Sequence, residues 1–198
     1  MRARWTRQRG HPHLVMFYSG WATETAEIEL LAGDSDLLIL SDYRNETFDP
    51  AWIERHDRIT LVAYSMGVAV AARHLGGLRP ERAIAICGAT DPRRTIGADI
   101  YDGTLAGLDR QSLARFARRA GLPQPQAPDI AALGDELRAL RARPPAPVGA
   151  FDRIIAARKD RIFPADAMTA AWPGQPIDWV DTGHFPFAHW RNWQEIIE

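Results

Sequence analysis

The chain reads as an α/β protein, a mostly parallel, doubly wound sheet with a small helical lid insertion. Three observations carry that reading. Short apolar runs alternate with helix-period segments along most of the 198 residues, which argues for parallel strands with helices on both faces. At one junction, Ala63-Tyr64-Ser65-Met66-Gly67, an apolar run turns directly into a small-residue helical run, Met66-Gly67-Val68-Ala69-Val70-Ala71-Ala72. Between about residues 92 and 148 the alternation stops, and helical patterns with proline-rich connectors take its place.

In chain order, Arg4–Gln8 offers an antiparallel edge strand, and the apolar run Leu14–Tyr18 is the first main strand. A helix is expected over Thr23–Leu31, a strand over Asp36–Leu40, and a short helix over Pro50–Glu54. The run Ile59–Ala63 predicts a strand, followed by a helix over Met66–Leu75 and a strand over Arg82–Cys87. Beyond the insertion the order resumes with strands Arg153–Ala157 and Ile177–Val180 and helices Pro164–Trp172 and Phe187–Ile197. The length suits one domain, residues 1–198, with no internal repeat.

The net charge of −1 gives no overall pull toward nucleic acid or membrane. No apolar stretch approaches the roughly 18 residues of a membrane span, and Met1-Arg2-Ala3-Arg4 is not followed by a signal-peptide core, so a cytoplasmic protein is expected. The lone cysteine, Cys87, cannot form an internal disulfide and reads as a buried strand residue.

The Ser65 junction reads as a nucleophile elbow with alanine in place of the first glycine. A sharp strand-to-helix turn holds its central residue in a strained backbone and exposes its side chain, while small residues two positions away let the turn close. The helix start also aims unpaired N–H groups at whatever bonds to Ser65. A serine hydroxyl needs a base with a pKa near the working pH, and histidine is the expected one. His184, just beyond the last strand, lies where a doubly wound sheet gathers its reacting groups, at the carboxyl ends of strands. His189 is the runner-up; His11 and His13 read as a solvated loop without a third metal ligand, and His56 and His74 as helix-flank residues.

The order Ser, Asp, His then selects Asp160, which follows the penultimate strand and precedes a helix-starting proline, with Asp91 as a substitute and Asp178 and Asp181 as surface charges. The loop Ser19-Gly20-Trp21-Ala22-Thr23 is where the second oxyanion donor belongs, so the backbone N–H groups of Trp21 and Met66 form the expected pair. No metal or cofactor is expected.

The insertion carries two amphipathic helices. One buries Leu113, Phe116, Ala117 and Ala120; the other has the stripe Ile130, Leu133, Leu137 and Leu140. The proline-rich connectors are 123–128 and 144–147. Nine arginines stand against six acids between Arg93 and Arg143, so the insertion is +3 and the remainder −4. Such a charge run is either a solvated face or a docking surface for an acidic partner.

The segments His13-Leu14-Val15-Met16-Phe17-Tyr18-Ser19-Gly20-Trp21, Leu61-Val62-Ala63-Tyr64-Ser65-Met66-Gly67, Arg158-Lys159-Asp160-Arg161-Ile162-Phe163 and Gly183-His184 resemble the α/β-hydrolase superfamily. More narrowly, they resemble the short BioG-type pimeloyl-acyl-carrier-protein methyl ester esterases of biotin synthesis. The resemblance implies that Ser65 attacks the methyl ester at the far end of a carried pimeloyl chain, with His184 as base, Asp160 as its partner, and Trp21 with Met66 binding the oxyanion. It also implies an acidic acyl carrier protein as partner, for which Arg115, Arg118, Arg119, Arg138 and Arg141 are the candidate contacts. A carboxylesterase or thioesterase of free small molecules, and a silent hydrolase fold that only binds acyl carrier, are the alternatives.

Overall fold

The computed structural model describes residues 1–23, 25–124, 127–148 and 151–198. Seven strands form one sheet: β1 (Arg2–Arg7), β2 (His13–Tyr18), β3 (Asp36–Ser41), β4 (Arg58–Tyr64), β5 (Arg82–Ile86), β6 (Arg153–Ala157) and β7 (Asp178–Val180). Their order is β1-β3-β2-β4-β5-β6-β7. Only β1 runs antiparallel, against β3; it starts at Arg2 rather than Arg4, because its pairing with β3 begins at Arg2 opposite Ser41. All other neighbours are parallel.

Period-2 alternation splits the strands' side chains between two cores. Leu14, Met16, Tyr18, Leu61, Ala63, Ala83 and Ala85 face one layer, where α2 (Gly67–His74) and the helical insertion pack. Val15, Phe17, Val62, Tyr64, Ile84 and Ile86 face the other, covered by Ile28 of α1 (Ala26–Glu29) and by Trp193 and Ile196 of α8 (Trp193–Ile197). Both faces are therefore buried, which is why the central strands are apolar throughout. In register, Tyr18 lies opposite Ala63, and Tyr64 opposite Ile86, so the segments after β2, β4 and β5 leave the sheet at the same end.

Several expected helices are shorter. The segment expected over Thr23–Leu31 is helical only as α1, and Glu24 within it lies outside the described residues. Pro50–Trp52 makes a single 3-10 turn capped by Asp49. The helix expected over Phe187–Ile197 is two pieces, a 3-10 turn at Phe187–His189 and α8. Trp190 is extended between them, and Asn192 caps α8 by accepting from the Glu195 N–H. Cys87 lies one residue past β5 with φ +45°, so it is buried but not a strand residue.

Between β5 and β6 stand four helices where two were expected: α3 (Pro92–Ile96), α4 (Ala98–Ala106), α5 (Arg110–Ala120) and α6 (Ile130–Ala142). α5 buries Leu113, Ala117 and Ala120, and α6 buries Leu137 and Leu140, the faces their periodicity predicts. α4 has no apolar stripe to betray it, since Tyr101 is its one buried side chain. Pro125 and Gln126 of the first connector lie outside the described residues. After the insertion, α7 (Ala165–Ala171) returns to the sheet through Met168. Among the described residues no helix is long and apolar enough to cross a membrane.

Candidate active site

The turn from β4 into α2 places Ser65 at φ +54°, in the left-handed region. For a non-glycine residue that conformation costs about 1–3 kcal/mol, so the surroundings must enforce it. They do so through the backbone. The Ser65 N–H donates to the Ile86 carbonyl at 2.9 Å, and the Ser65 carbonyl accepts from the Val68 N–H at 3.1 Å. Two glycines let neighbouring chain approach: a Cβ on Gly67 would lie 2.5 Å from the carbonyl oxygens of Tyr18 and Ser19, and one on Gly88 only 2.2 Å from that of Ser65. Ala63, which replaces the first glycine of the motif, sits in the sheet opposite Ala85, where a methyl group is accommodated.

His184, beyond β7, meets Ser65 from the last loop. Its Nε2 lies 3.0 Å from Ser65 Oγ, and its Nδ1 lies 2.8 Å from Asp160 Oδ2. Asp160 Oδ1 accepts the N–H groups of Ile162 at 2.7 Å and Phe163 at 2.9 Å, so both carboxylate oxygens are held. With an ionised Asp160 as acceptor, Nδ1 carries the proton and the Nε2 lone pair faces the serine hydroxyl. Two rings pack against the imidazole, Phe163 nearly parallel to it at 5.7 Å and Tyr64 tilted at 5.1 Å. His184 is 1% exposed, Ser65 5% and Asp160 7%, so all three are buried.

Trp21 follows β2 in a tight loop whose next residue, Ala22, also has φ +54°. Its indole N–H donates to the Leu133 carbonyl of α6 at 3.0 Å, and its ring meets Phe116 of α5 edge-on at 5.0 Å. Among the described backbone hydrogen bonds, none is donated by the N–H of Trp21 or of Met66. Both residues border the cleft over Ser65, which is walled by Ile96, Ile100 and Tyr101 from α3 and α4, by Phe116 and Leu137, and by Ile162 and Pro164. The cleft encloses about 630 Å³ of atom-free space, the open solvent at its mouth included.

Other candidates lie elsewhere. His189 is exposed on its 3-10 turn and Asp91 caps α3 by accepting from the Arg94 N–H. Asp178 pairs with Arg153 and Asp181 with Lys159. His13 bonds Thr60 and Ser35, His56 bonds the buried Asp36, and His74 bonds Tyr18. Among the described residues no group of three or more ligating side chains could hold a metal. Burial pushes the Cys87 thiol well above its ordinary value, which keeps it protonated and inert.

The insertion's arginines divide. Arg138 pairs with Asp135 at 2.7 Å and Arg141 reaches Asp102 at 3.5 Å. Arg115, Arg118 and Arg119 are exposed on α5 with no ion pair among the described residues. Two cleft features were not read from the sequence. The wall from α3 and α4 lacks an apolar stripe, and Arg161, beside Asp160, looks in sequence like any surface charge yet lines the cleft with Arg119.

A solved structure of BioG from Haemophilus influenzae superposes on this chain with a TM-score of 0.87 and 26% identity, over 100% of both chains. A lipase-esterase related protein from Clostridium acetobutylicum, 15% identical, shares the fold with a TM-score of 0.63 over 93% of this chain and 92% of that one. A malonyl-[acyl-carrier protein] O-methyltransferase from Bacteroides fragilis is 33% identical over 177 residues, 80% of this chain but 36% of that protein. The chain spans about a third to a half of the length of the curated relatives it matches, 36% and 52%. The family model described as pimeloyl-ACP methyl esterase BioG matches residues 1–131, the part that carries β2, the Trp21 loop and the Ser65 elbow. With its α/β-hydrolase fold, the chain belongs to the BioG family of pimeloyl-ACP methyl esterases.

Proposed function

We propose that this chain is a serine esterase that hydrolyses the methyl ester of a pimeloyl group carried on acyl carrier protein, freeing the carboxylate needed for biotin synthesis. The observation that carries the reading is the continuous hydrogen-bonded series Ser65 Oγ, His184, Asp160, whose serine lines a largely apolar cleft. Membership of the BioG family supplies the substrate class.

In this mechanism Ser65 Oγ attacks the ester carbonyl carbon as His184 Nε2 takes its proton, and the imidazolium is stabilised by Asp160. The carbonyl oxygen becomes the oxyanion, met by the N–H groups of Trp21 and Met66; one such donor is worth about a hundred- to thousandfold in rate. Collapse breaks the C–O bond to the methoxy group, His184 returns the proton, and methanol leaves an acyl-serine. Water, deprotonated by His184, attacks that ester; its collapse regenerates Ser65 and releases the carboxylate. No step draws on a metal or cofactor.

The four helices at residues 92–148 serve in this reading as the lid of a single domain. The free arginines of α5 suit the acidic surface of a cytoplasmic carrier protein, with Arg115, Arg118 and Arg119 as the contacts, while the acid-paired Arg138 and Arg141 offer less free charge. The relative named for O-methyl transfer to a carried malonyl group would make the kind of bond that this chain removes.

The test compares pimeloyl-carrier-protein methyl ester with free dimethyl pimelate over a range of salt. Demethylation of the carrier-bound ester that is faster and falls as salt screens the arginines is expected. Equal, salt-insensitive rates would leave a small-molecule carboxylesterase, and no turnover of either ester would leave a binding protein.

A further inference from the structure

Five arginines in or beside the insertion are anchored. Arg93 and Arg141 share Asp102, Arg73 and Arg143 share Glu46, and Arg138 holds Asp135. Arg119 and Arg161 differ: both are exposed, both line the Ser65 cleft, and neither makes an ion pair or side-chain hydrogen bond among the described residues. Asp160, next to Arg161 in the chain, is turned inward to His184 and offers it nothing. No carboxylate lines this cleft, whose other walls are largely apolar apart from Ser65, Thr104 and Tyr101, the last with its hydroxyl donating to the Leu137 carbonyl. Two free guanidinium groups, one from α5 and one from the loop after β6, thus stand at the solvent side of an otherwise apolar chamber.

We propose that Arg119 and Arg161 form a distal subsite for the end of the substrate opposite its methyl ester, and that they set the acyl length the enzyme accepts. The proposal rests on the esterase reading of Ser65 and adds the class of the far group, an oxygen acceptor at a fixed reach. In a free dicarboxylic half-ester that acceptor is the second carboxylate, which a guanidinium grips with charge-assisted bonds. In the carried substrate it is the thioester carbonyl on the same carbon. An apolar wall distinguishes neighbouring chain lengths weakly, because one methylene is worth about 10- to 200-fold at best. A pair of polar anchors at a fixed position sharpens the choice, since a chain of the wrong length leaves them unmet.

The experiment measures kcat/KM on the monomethyl half-esters from succinate to sebacate, on the neutral methyl esters of the matching monocarboxylic acids, and on the carrier-bound half-esters of the same lengths. Half-esters should exceed neutral esters by about 10- to 100-fold at one optimal length, the energy of one or two charge-assisted bonds. The carrier-bound series should peak at the same length. In R119A/R161A the half-ester to neutral-ester ratio should fall toward one, and R119K/R161K should restore part of it.

Calorimetry on Ser65→Ala, which leaves the ester intact, reads the subsite without turnover. Monomethyl pimelate should bind at least about tenfold more tightly than dimethyl pimelate, and the preference should vanish when both arginines are also replaced. Hydrolysis that survives Ser65→Ala would sink the esterase reading, whereas the binding ratio would still report on the arginines. A ratio near one in the unaltered protein, a ratio unchanged in R119A/R161A, or a length optimum confined to the carrier-bound series would overturn the distal subsite.

Discussion

The strand ends and the helical insertion meet over the same cleft, yet they are built oppositely. At the strand ends Ser65 is held by a turn that Gly67 and Gly88 permit, Asp160 by two backbone N–H donors, and His184 by Asp160 and two aromatic rings. These side chains are almost wholly buried. The insertion shows the cleft apolar side chains and one exposed arginine, Arg119, and ties itself to the sheet's loops at separate points, such as the Trp21 indole on the Leu133 carbonyl. The contrast teaches where each property resides. In the proposed esterase, chemistry that needs sub-ångström placement would sit on the buried frame, and selection on side chains free to meet a partner.

The largest effects should come from breaking the strand-end side. Ser65→Ala should lower kcat on the order of a millionfold, with KM little changed, checked by methanol release. Asp160→Asn keeps the shape but favours the wrong tautomer of His184, and should cost on the order of ten-thousandfold in kcat. A mutant of either kind that retained its rate would assign the chemistry to other groups.

Gly88→Ala tests the frame rather than the reacting atoms. Its methyl group would sit 2.2 Å from the Ser65 carbonyl oxygen, so the elbow must shift. A loss of about 1–3 kcal/mol in urea unfolding is expected, together with a fall in kcat, because small displacements at the nucleophile are costly. Unchanged stability and rate would show that the elbow is not held as tightly as described.

The smallest effect sharpens the insertion side. Glu136 of α6 is buried and accepts from the Tyr43 N–H at 3.0 Å. Burial raises its pKa from 4.5 to about 7, and nearby Asp42 pushes the same way against the Tyr43 hydrogen bond. Between those values the unfolded chain has released a proton that the folded chain still holds, so this carboxyl contributes a loss of stability as pH rises from 4.5 toward 7. The loss is on the order of 3 kcal/mol once both states are ionised. Glu136→Gln should flatten that part of the profile and raise the urea midpoint at about pH 8; a slope unchanged in the variant would place its origin elsewhere.

The same division decides what could be read from the sequence. The central strands were legible because burial on both faces demands unbroken apolar runs, as in Leu14–Tyr18. The order of Ser65, Asp160 and His184 was legible because the parallel sheet brings successive strand ends together. α4 was not, since one buried tyrosine leaves no period to detect. The break at Trp190 was not, because an extended residue and an asparagine cap inside an apolar stretch resemble a continuous helix. Arg138 and Arg141 could not be told from Arg119, as ion pairing depends on which acid the fold places nearby. Arg161 was hidden for a related reason: its neighbour Asp160 is its obvious partner in sequence and turns away in space.

The most direct test of the division of labour is to measure kcat and KM separately, on carrier-bound pimeloyl methyl ester and on dimethyl pimelate, for Ser65→Ala and for the double replacement by alanine of Arg115 and Arg118, which lie outside the cleft lining. Loss of kcat on both substrates in the first, and a raised KM confined to the carrier-bound ester in the second, is the predicted pattern. A double variant that lost kcat equally on both substrates, or a Ser65→Ala protein that still released methanol, would contradict it.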